Sequence, residues 1–321
     1  MLLPLQLLFA HLFSRHSVSH IYALLRRDIG RQLRYYLGKP PAEPLPSALL
    51  WSTLCTILVL LTIALTVPSV SWFLAVLFTS MANITTIYNT FSLWALVFSV
   101  YFLNEEWSYL QAMAVLLGIA GVAMSTYGSA ARPAVQADAS SSYSVSPALF
   151  GYALSLLGAV SMAGYEVLYK RLTVIPHSTE GAFQPLPSDE AHVDDALPET
   201  EEALPFGVHA MAMMSGIGLA TCFLFWLPIL VAHAMGLETL EMPGSWTLIG
   251  WIAISILCGV LFNGCFAILL SLWGPVLASM SCLSTTVMVQ VTDIILGVPF
   301  SWLSVAGNLV ITMSFLCMLP W

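Results

Sequence analysis

The sequence predicts an all-α, polytopic membrane protein, and three observations carry that prediction. Of 321 residues, 59% are hydrophobic and 8% charged, where a soluble domain carries roughly 25% charge. The few charged residues leave long charge-free stretches, such as 44–104 and 242–292, each with room for two helices of ~20 apolar residues. The bases also cluster where a threaded chain would return to one side of a bilayer. A water-facing surface cannot be covered with so little charge, so a soluble or secreted domain is excluded.

Taken in order, residues 1–13 are apolar but too short to span and lack the basic start and cleavage site of a signal peptide. They read as a partial span. Residues 14–47 form a basic segment with Arg15, Arg26, Arg27, Arg31, Arg34 and Lys39. Eight full spans are predicted over 49–77, 84–103, 109–127, 147–169, 206–232, 246–269, 276–296 and 302–319. The first carries Pro68, where a kink or break is expected. Placing 14–47 in the cytoplasm puts Arg132 outside after three spans and returns Lys170 and Arg171 inside after a fourth. All bases but Arg132 are then cytoplasmic, as the positive-inside rule requires.

Residues 173–205 carry eight acids, no base and five prolines. Such composition cannot build a core and predicts a disordered, solvated cytoplasmic linker. It separates an N-terminal half, 1–172, from a C-terminal half, 206–321. Without those eight acids the remaining nine balance nine bases, so the net charge of −8 describes one segment. His177 and His192 lie in the linker, too far apart in sequence to read as a metal site. No metal, cofactor or nucleic-acid partner is predicted. Cys55, Cys222, Cys258, Cys265, Cys282 and Cys317 all fall inside predicted spans and form no disulfide framework. The sequon at Asn83 sits at the mouth of a span and is discounted.

Polar groups within the spans carry the functional signal, because they are costly in lipid unless they face protein or a wet cavity. Glu166 and Lys170 stand four apart on the fourth full span and can pair. They serve either transport or structure, with Lys170 snorkelling at the cytoplasmic end. On the seventh full span, Ser279, Cys282, Thr286, Gln290 and Asp293 follow spacings of 3, 4, 4 and 3 and draw one polar stripe. The stripe lines a pathway or acts as interhelical glue. Ser255, Gly259 and Asn263 make a shorter face on the sixth span, and Ser301, Ser304, Asn308 and Thr312 another on the last. Thr85, Thr86, Tyr88, Asn89 and Thr90 make the second span polar on several sides, which places it centrally. Gly118 and Gly121 allow close helix packing. No G-x-S-x-G, H-E-x-x-H or phosphate-cradling loop is present, and Asp293 is the only Asp inside a span. No enzyme is predicted.

A shift of 195 residues superposes Leu77-Phe78-Thr79-Ser80 on Leu272-Trp273-Gly274-Pro275, Thr90 on Thr285 and Trp107 on Trp302. Each half closes with a polar-striped helix, a short turn and a last apolar helix, a layout found in transporters built from repeats. The stretch from Thr79 to Thr90 (TSMANITTIYNT) resembles the opening of the fourth helix in the drug/metabolite transporter (EamA-type) superfamily. Leu103-Asn104-Glu105-Glu106 resembles the turn that ends this helix in the superfamily, and Gly118-Ile119-Ala120-Gly121-Val122 is similar to its fifth helix. Gly164-Tyr165-Glu166-Val167-Leu168-Tyr169-Lys170 resembles the sixth helix of the F-type branch of the nucleotide-sugar-transporter-like solute carriers, which includes fungal vacuolar-type and thiamine-carrier-like members. Gly274-Pro275 and the run from Asp293 to Gly297 are similar to its ninth helix.

The resemblance covers most of 49–319 and implies a helical bundle of two inverted five-helix repeats. The eight spans would match the third to tenth helices, with 1–13 the tail of the second and the first helix missing. It further implies a secondary transporter of a small organic metabolite by alternating access. The implied setting is an endomembrane (vacuole, Golgi or ER) ahead of the plasma membrane, with a homodimer open. Tyr88, Asn89, Glu166, Lys170, Asn263, Ser279, Cys282, Thr286, Gln290 and Asp293 are the candidate cargo or pathway residues. With Lys170 the single base near them, cationic or neutral cargo fits better than a doubly charged phosphate ester. The alternative is a non-transporting scaffold or sensor of the same fold, acting through its acidic linker.

Overall fold

A computed structural model of the chain describes residues 18–39, 46–106, 108–130, 145–173, 207–236, 244–297 and 301–318. The partial span, Arg132 and all of the acidic linker beyond Thr173 lie outside the described residues. Ten helices and no strand occur among those described: α1 Val18–Tyr36, α2 Ser47–Val76, α3 Met81–Tyr88, α4 Phe91–Phe102, α5 Tyr109–Ala130, α6 Val145–Thr173, α7 Val208–Ala234, α8 Trp246–Trp273, α9 Pro275–Ile295 and α10 Trp302–Met318. Seven stretches are long and apolar enough to cross a membrane, with α3 and α4 together making one of them. The eighth predicted span is α10, apolar and 17 residues long. At 1.5 Å per residue it measures about 26 Å, the short end of what a bilayer core needs. The chain is therefore an all-helical, multi-pass membrane protein.

Many large apolar side chains on these helices are exposed, among them Phe73, Phe223, Leu227 and Trp251. Trp51, Tyr109, Trp246 and Trp302 are exposed at the starts of α2, α5, α8 and α10, the interfacial positions where amphipathic rings settle.

Two elements depart from the sequence reading. The segment 14–47 contains a helix, α1, whose Ile21, Leu25 and Leu33 are buried at four- and eight-residue spacing. It ends in a Schellman motif: Gly38 takes φ +65°, its N–H bonds Tyr35 O, and the Lys39 N–H bonds Arg34 O at 3.0 Å. The expected span 84–103 is two helices, broken at Asn89–Thr90. There Asn89 Nδ2 donates to Thr85 O at 2.7 Å and Thr90 Oγ1 donates to Ile87 O at 2.6 Å. Side-chain donors compete with the backbone ladder at successive residues, and the Thr90 N–H shifts to a three-residue bond with Ile87 O. By contrast, α2 runs through Pro68 as one helix.

The described chain divides into two compact units, 1–62 with 171–272, and 63–170 with 273–321. Each draws on both sequence halves. The first unit buries Ile21 and Leu25 of α1 against Val208 of α7. Gly216 on α7 abuts Leu58 of α2, where an added Cβ would stand 2.8 Å from Leu58 Cδ2. The second unit packs Leu96 of α4, Val115 and Val122 of α5, Val276, Met280 and Leu283 of α9, and Ile311 of α10 into one core. Its tightest seam joins α5 to α10. A Cβ on Gly121 would meet Gly307 O at 2.8 Å, and one on Gly307 would meet Ser125 N at 2.5 Å. Glycine lets the two backbones touch, as in close membrane helix pairs.

Candidate functional site

The candidate site lies in the second unit, where α6, the end of α3 and the middle of α9 converge. Glu166 is fully buried on α6, and neither carboxyl oxygen has a hydrogen-bond partner among the described residues. Tyr88 and Cys282 both lie within electrostatic reach of it, as does Tyr165 from its own helix. Tyr88 is the last residue of α3, directly before the helix break. Its ring packs on Gly158 of α6, where an added Cβ would stand 3.1 Å from Cε2. The break thus delivers an aromatic hydroxyl-bearing side chain to the buried acid. Irregular backbone at membrane depth is tolerated where it is buried or lines a cavity, and half-helix junctions are where transporters place their sites.

The expected Glu166–Lys170 pair does not form. Lys170 Nζ instead reaches Glu105 Oε1 at 2.5 Å, in the turn after α4. The long lysine stem carries its ammonium toward the helix end, and Glu105 waits there with the two side chains 22% and 34% exposed. Gly274, at φ +85°, makes room for this contact, since a Cβ there would stand 2.7 Å from Lys170 Nζ. Among the described residues, no base is paired with Glu166.

The polar stripe of the seventh full span is divided. Ser279 is buried and donates to Val276 O at 2.8 Å. Cys282 and Thr286 are half-buried, and Cys282 lies within electrostatic reach of Glu166. Gln290 is buried and accepts from Ser304 of α10, whose hydroxyl also lies 3.4 Å from that of Ser125 on α5. At that end of the stripe the polar groups bond from helix to helix. Asp293 is half-buried beside an open depression of about 500 Å³ that Thr285, Met288 and Thr292 also line.

The remaining candidates lie apart. Asn89 is spent on the helix break. Asn263 belongs to the first unit, is exposed, and donates to Gly259 O at 2.8 Å. Sequence reasoning missed Glu105 as the lysine's partner, although the expected threading put its turn on the same side as Lys170. It also missed the bridge at Asn83, which donates to the Tyr152 hydroxyl at 3.1 Å and accepts from the Tyr127 hydroxyl at 2.8 Å.

No curated protein matches the chain. One crystal structure of a protein aligns over 93% of this chain and 97% of its own length, at 14% identity and a TM-score of 0.46. Residues 37–127 match the EamA-like transporter family, so this stretch, from the end of the basic segment through the third full span, is similar to a family of membrane transporters.

Proposed function

We propose that the chain is a secondary carrier of a small organic solute, working by alternating access, with Glu166 as the charge that the solute or a proton must satisfy. The family match over 37–127 supports transport over a scaffold or an enzyme. The observation that carries the site is the buried, unpartnered carboxyl of Glu166 between Tyr88 and Cys282. A carboxylate in such surroundings costs several kcal/mol unless a cation or proton neutralises it. The base that could have done so is engaged with Glu105. A cationic or neutral metabolite therefore fits, held by the acid and by the Tyr88 ring and hydroxyl. Cys282 and Thr286 continue the wall. Within this reading, the resemblance to the fungal vacuolar-type or thiamine-carrier-like branch on an endomembrane guides the choice of cargo class.

The test is uptake of a panel of organic cations and neutral metabolites into proteoliposomes holding the purified full chain. A cationic substrate should lose at least about tenfold in initial rate with Glu166→Gln, roughly the 1.4 kcal/mol of a single lost charge contact. Glu105→Gln should change it less than about threefold. Equal transport by Glu166→Gln and wild type would remove the acid from the site.

A further inference from the structure

Two buried amides in the second unit are only partly satisfied. Gln290 of α9 and Asn308 of α10 are each 6% exposed. Gln290 Nε2 and both amide atoms of Asn308 have no hydrogen-bond partner among the described residues. The two side chains are neighbours. Ser304 donates to Gln290 Oε1, and Asn308 follows Ser304 one turn later on the same buried face of α10. Ser125 of α5 completes the group, its hydroxyl 3.4 Å from that of Ser304. At membrane depth no bulk solvent relieves such groups, whereas one bound water satisfies about three of them.

The buried acid of the same unit poses a second question. If a proton neutralises Glu166, that proton needs a way in and out. Among the described residues, the titratable groups within electrostatic reach of Glu166 are Tyr88 of α3, Tyr165 of α6 and Cys282 of α9, while Lys170 is engaged with Glu105. Cys282 opens a line of polar side chains, with Thr286 and Gln290 following at four-residue steps. Such neighbours stand about 5–6 Å apart at Cβ, and two hydrogen bonds of about 2.8 Å through one water span much the same distance. About one water per turn therefore joins Cys282 to Gln290, and the Gln290–Ser304 bond carries the line on to Ser125.

We propose that Gln290 and Asn308 hold ordered water in the seam of α5, α9 and α10, and that this water carries protons to and from Glu166. The proposal rests on the carrier reading in which a proton satisfies that acid. The amides position the water rather than relay: Gln290 Nε2 and Asn308 Nδ2 donate to water oxygens, and Asn308 Oδ1 accepts. The hops run through water, the Ser304 and Thr286 hydroxyls and the Cys282 thiol. Each link accepts one proton and releases another. The carboxyl loses or gains one proton, the solvent gains or loses one, and nothing is oxidised or reduced. Ser125 stands 16 residues along α5 from Tyr109, about 24 Å at 1.5 Å per residue. The route therefore opens far from the Lys170–Glu105 pair, which lies near the start of that helix.

The test is hydrogen–deuterium exchange at the Glu166 carboxyl, in the full chain in nanodiscs, followed by infrared spectroscopy after a switch to heavy water. The carboxyl band is assigned by its loss in Glu166→Gln. The double variant Gln290→Met, Asn308→Leu keeps the volume and removes the amides, and should slow exchange at least about tenfold. Asn308→Ser still holds water and should slow it less than about threefold. Thr56→Val, on α2 of the other unit, should leave it unchanged. Radiolytic labelling of wild type in heavy-oxygen water should also mark Leu283 and Ile311, which are fully buried in the core that α5, α9 and α10 share. A double variant that exchanges as fast as wild type overturns the proposal. So does a wild type with Leu283 and Ile311 unlabelled, an outcome that needs no variant to fold, and so does a wild type whose acid shows no carboxyl band. Slowed exchange with undiminished cation uptake by Glu166→Gln would keep the route and remove the acid from the cargo site. Unslowed exchange with lost uptake would do the reverse.

Discussion

Glu166 and Lys170 are one turn apart, yet each answers to a different environment. Lysine reaches the helix end and pairs with Glu105, 65 residues away in sequence. Glutamate is shorter and stays in the dry packing between α3, α6 and α9. Sequence could mark both as functional candidates, because ionisable groups in a span are rare. It could not assign their partners, because spacing along one helix says nothing of what another helix brings. The energetic consequence has opposite signs for the two acids. Glu166→Gln keeps the shape and removes an uncompensated charge, so it should raise the melting temperature of the detergent-solubilised protein, by about 2–4 °C for each kcal/mol recovered. Glu105→Gln breaks a pair that is partly exposed to solvent, so it should lower stability by no more than about 1 kcal/mol. A lower melting temperature for Glu166→Gln, read by scanning fluorimetry, would mean that the carboxyl has a stabilising partner.

Among the elements, the α5–α10 seam makes the sharpest demand on sequence. The neighbours of Gly307 are the Ser125 N and Gly121 O backbone atoms, which cannot swing aside as a side chain would. Gly307→Ala should therefore destabilise by about 1–3 kcal/mol or more. Gly259→Ala on α8 meets nothing within 4 Å and should be neutral or gain up to about 1 kcal/mol from helix propensity. Denaturation of the two variants in mixed micelles compares them directly, and equal stability would show that the seam relaxes. Gly118 and Gly121 were legible as packing residues, but Gly307, which receives Gly121, was not. The α3–α4 break was legible only as a crowd of polar residues. What breaks the helix is the order of donors: Asn89 and Thr90 each reach back to a carbonyl in the preceding turn. The helix α1 was hidden for another reason. Its apolar stripe, Ile21, Leu25, Ile29 and Leu33, lies among so many arginines that the segment fails every test for a span, and amphipathic spacing was the signal left to read.

At the scale of the whole molecule, charge counting alone gives an expected alternation of sides. Helix ends that share a side in that expectation meet one another. Glu105, Lys170 and Gly274, all assigned to the cytoplasmic side, meet one another. Asn83, Tyr127 and Tyr152, all assigned to the opposite side, do the same. In a cysteine-free background, Lys39→Cys and Glu190→Cys should react with an impermeant maleimide from the cytoplasmic face of sealed vesicles, and Arg132→Cys from the other. Labelling of Arg132→Cys and Lys39→Cys from the same face would overturn the span count. The division of the chain into compact units was not legible, since contacts between helices distant in sequence leave no mark on composition.

The packing of α1 on α7 also sets how the acidic segment can change length. The Gln32 side chain of α1 bonds both the Leu172 carbonyl and His209, so the described residues that flank 174–206 are fastened to one point. Loop-closure entropy grows only logarithmically, so doubling the number of residues between them costs about 0.6 kcal/mol. Position 190, mid-loop, is thus a natural place to insert a whole reporter domain while leaving the membrane helices undisturbed.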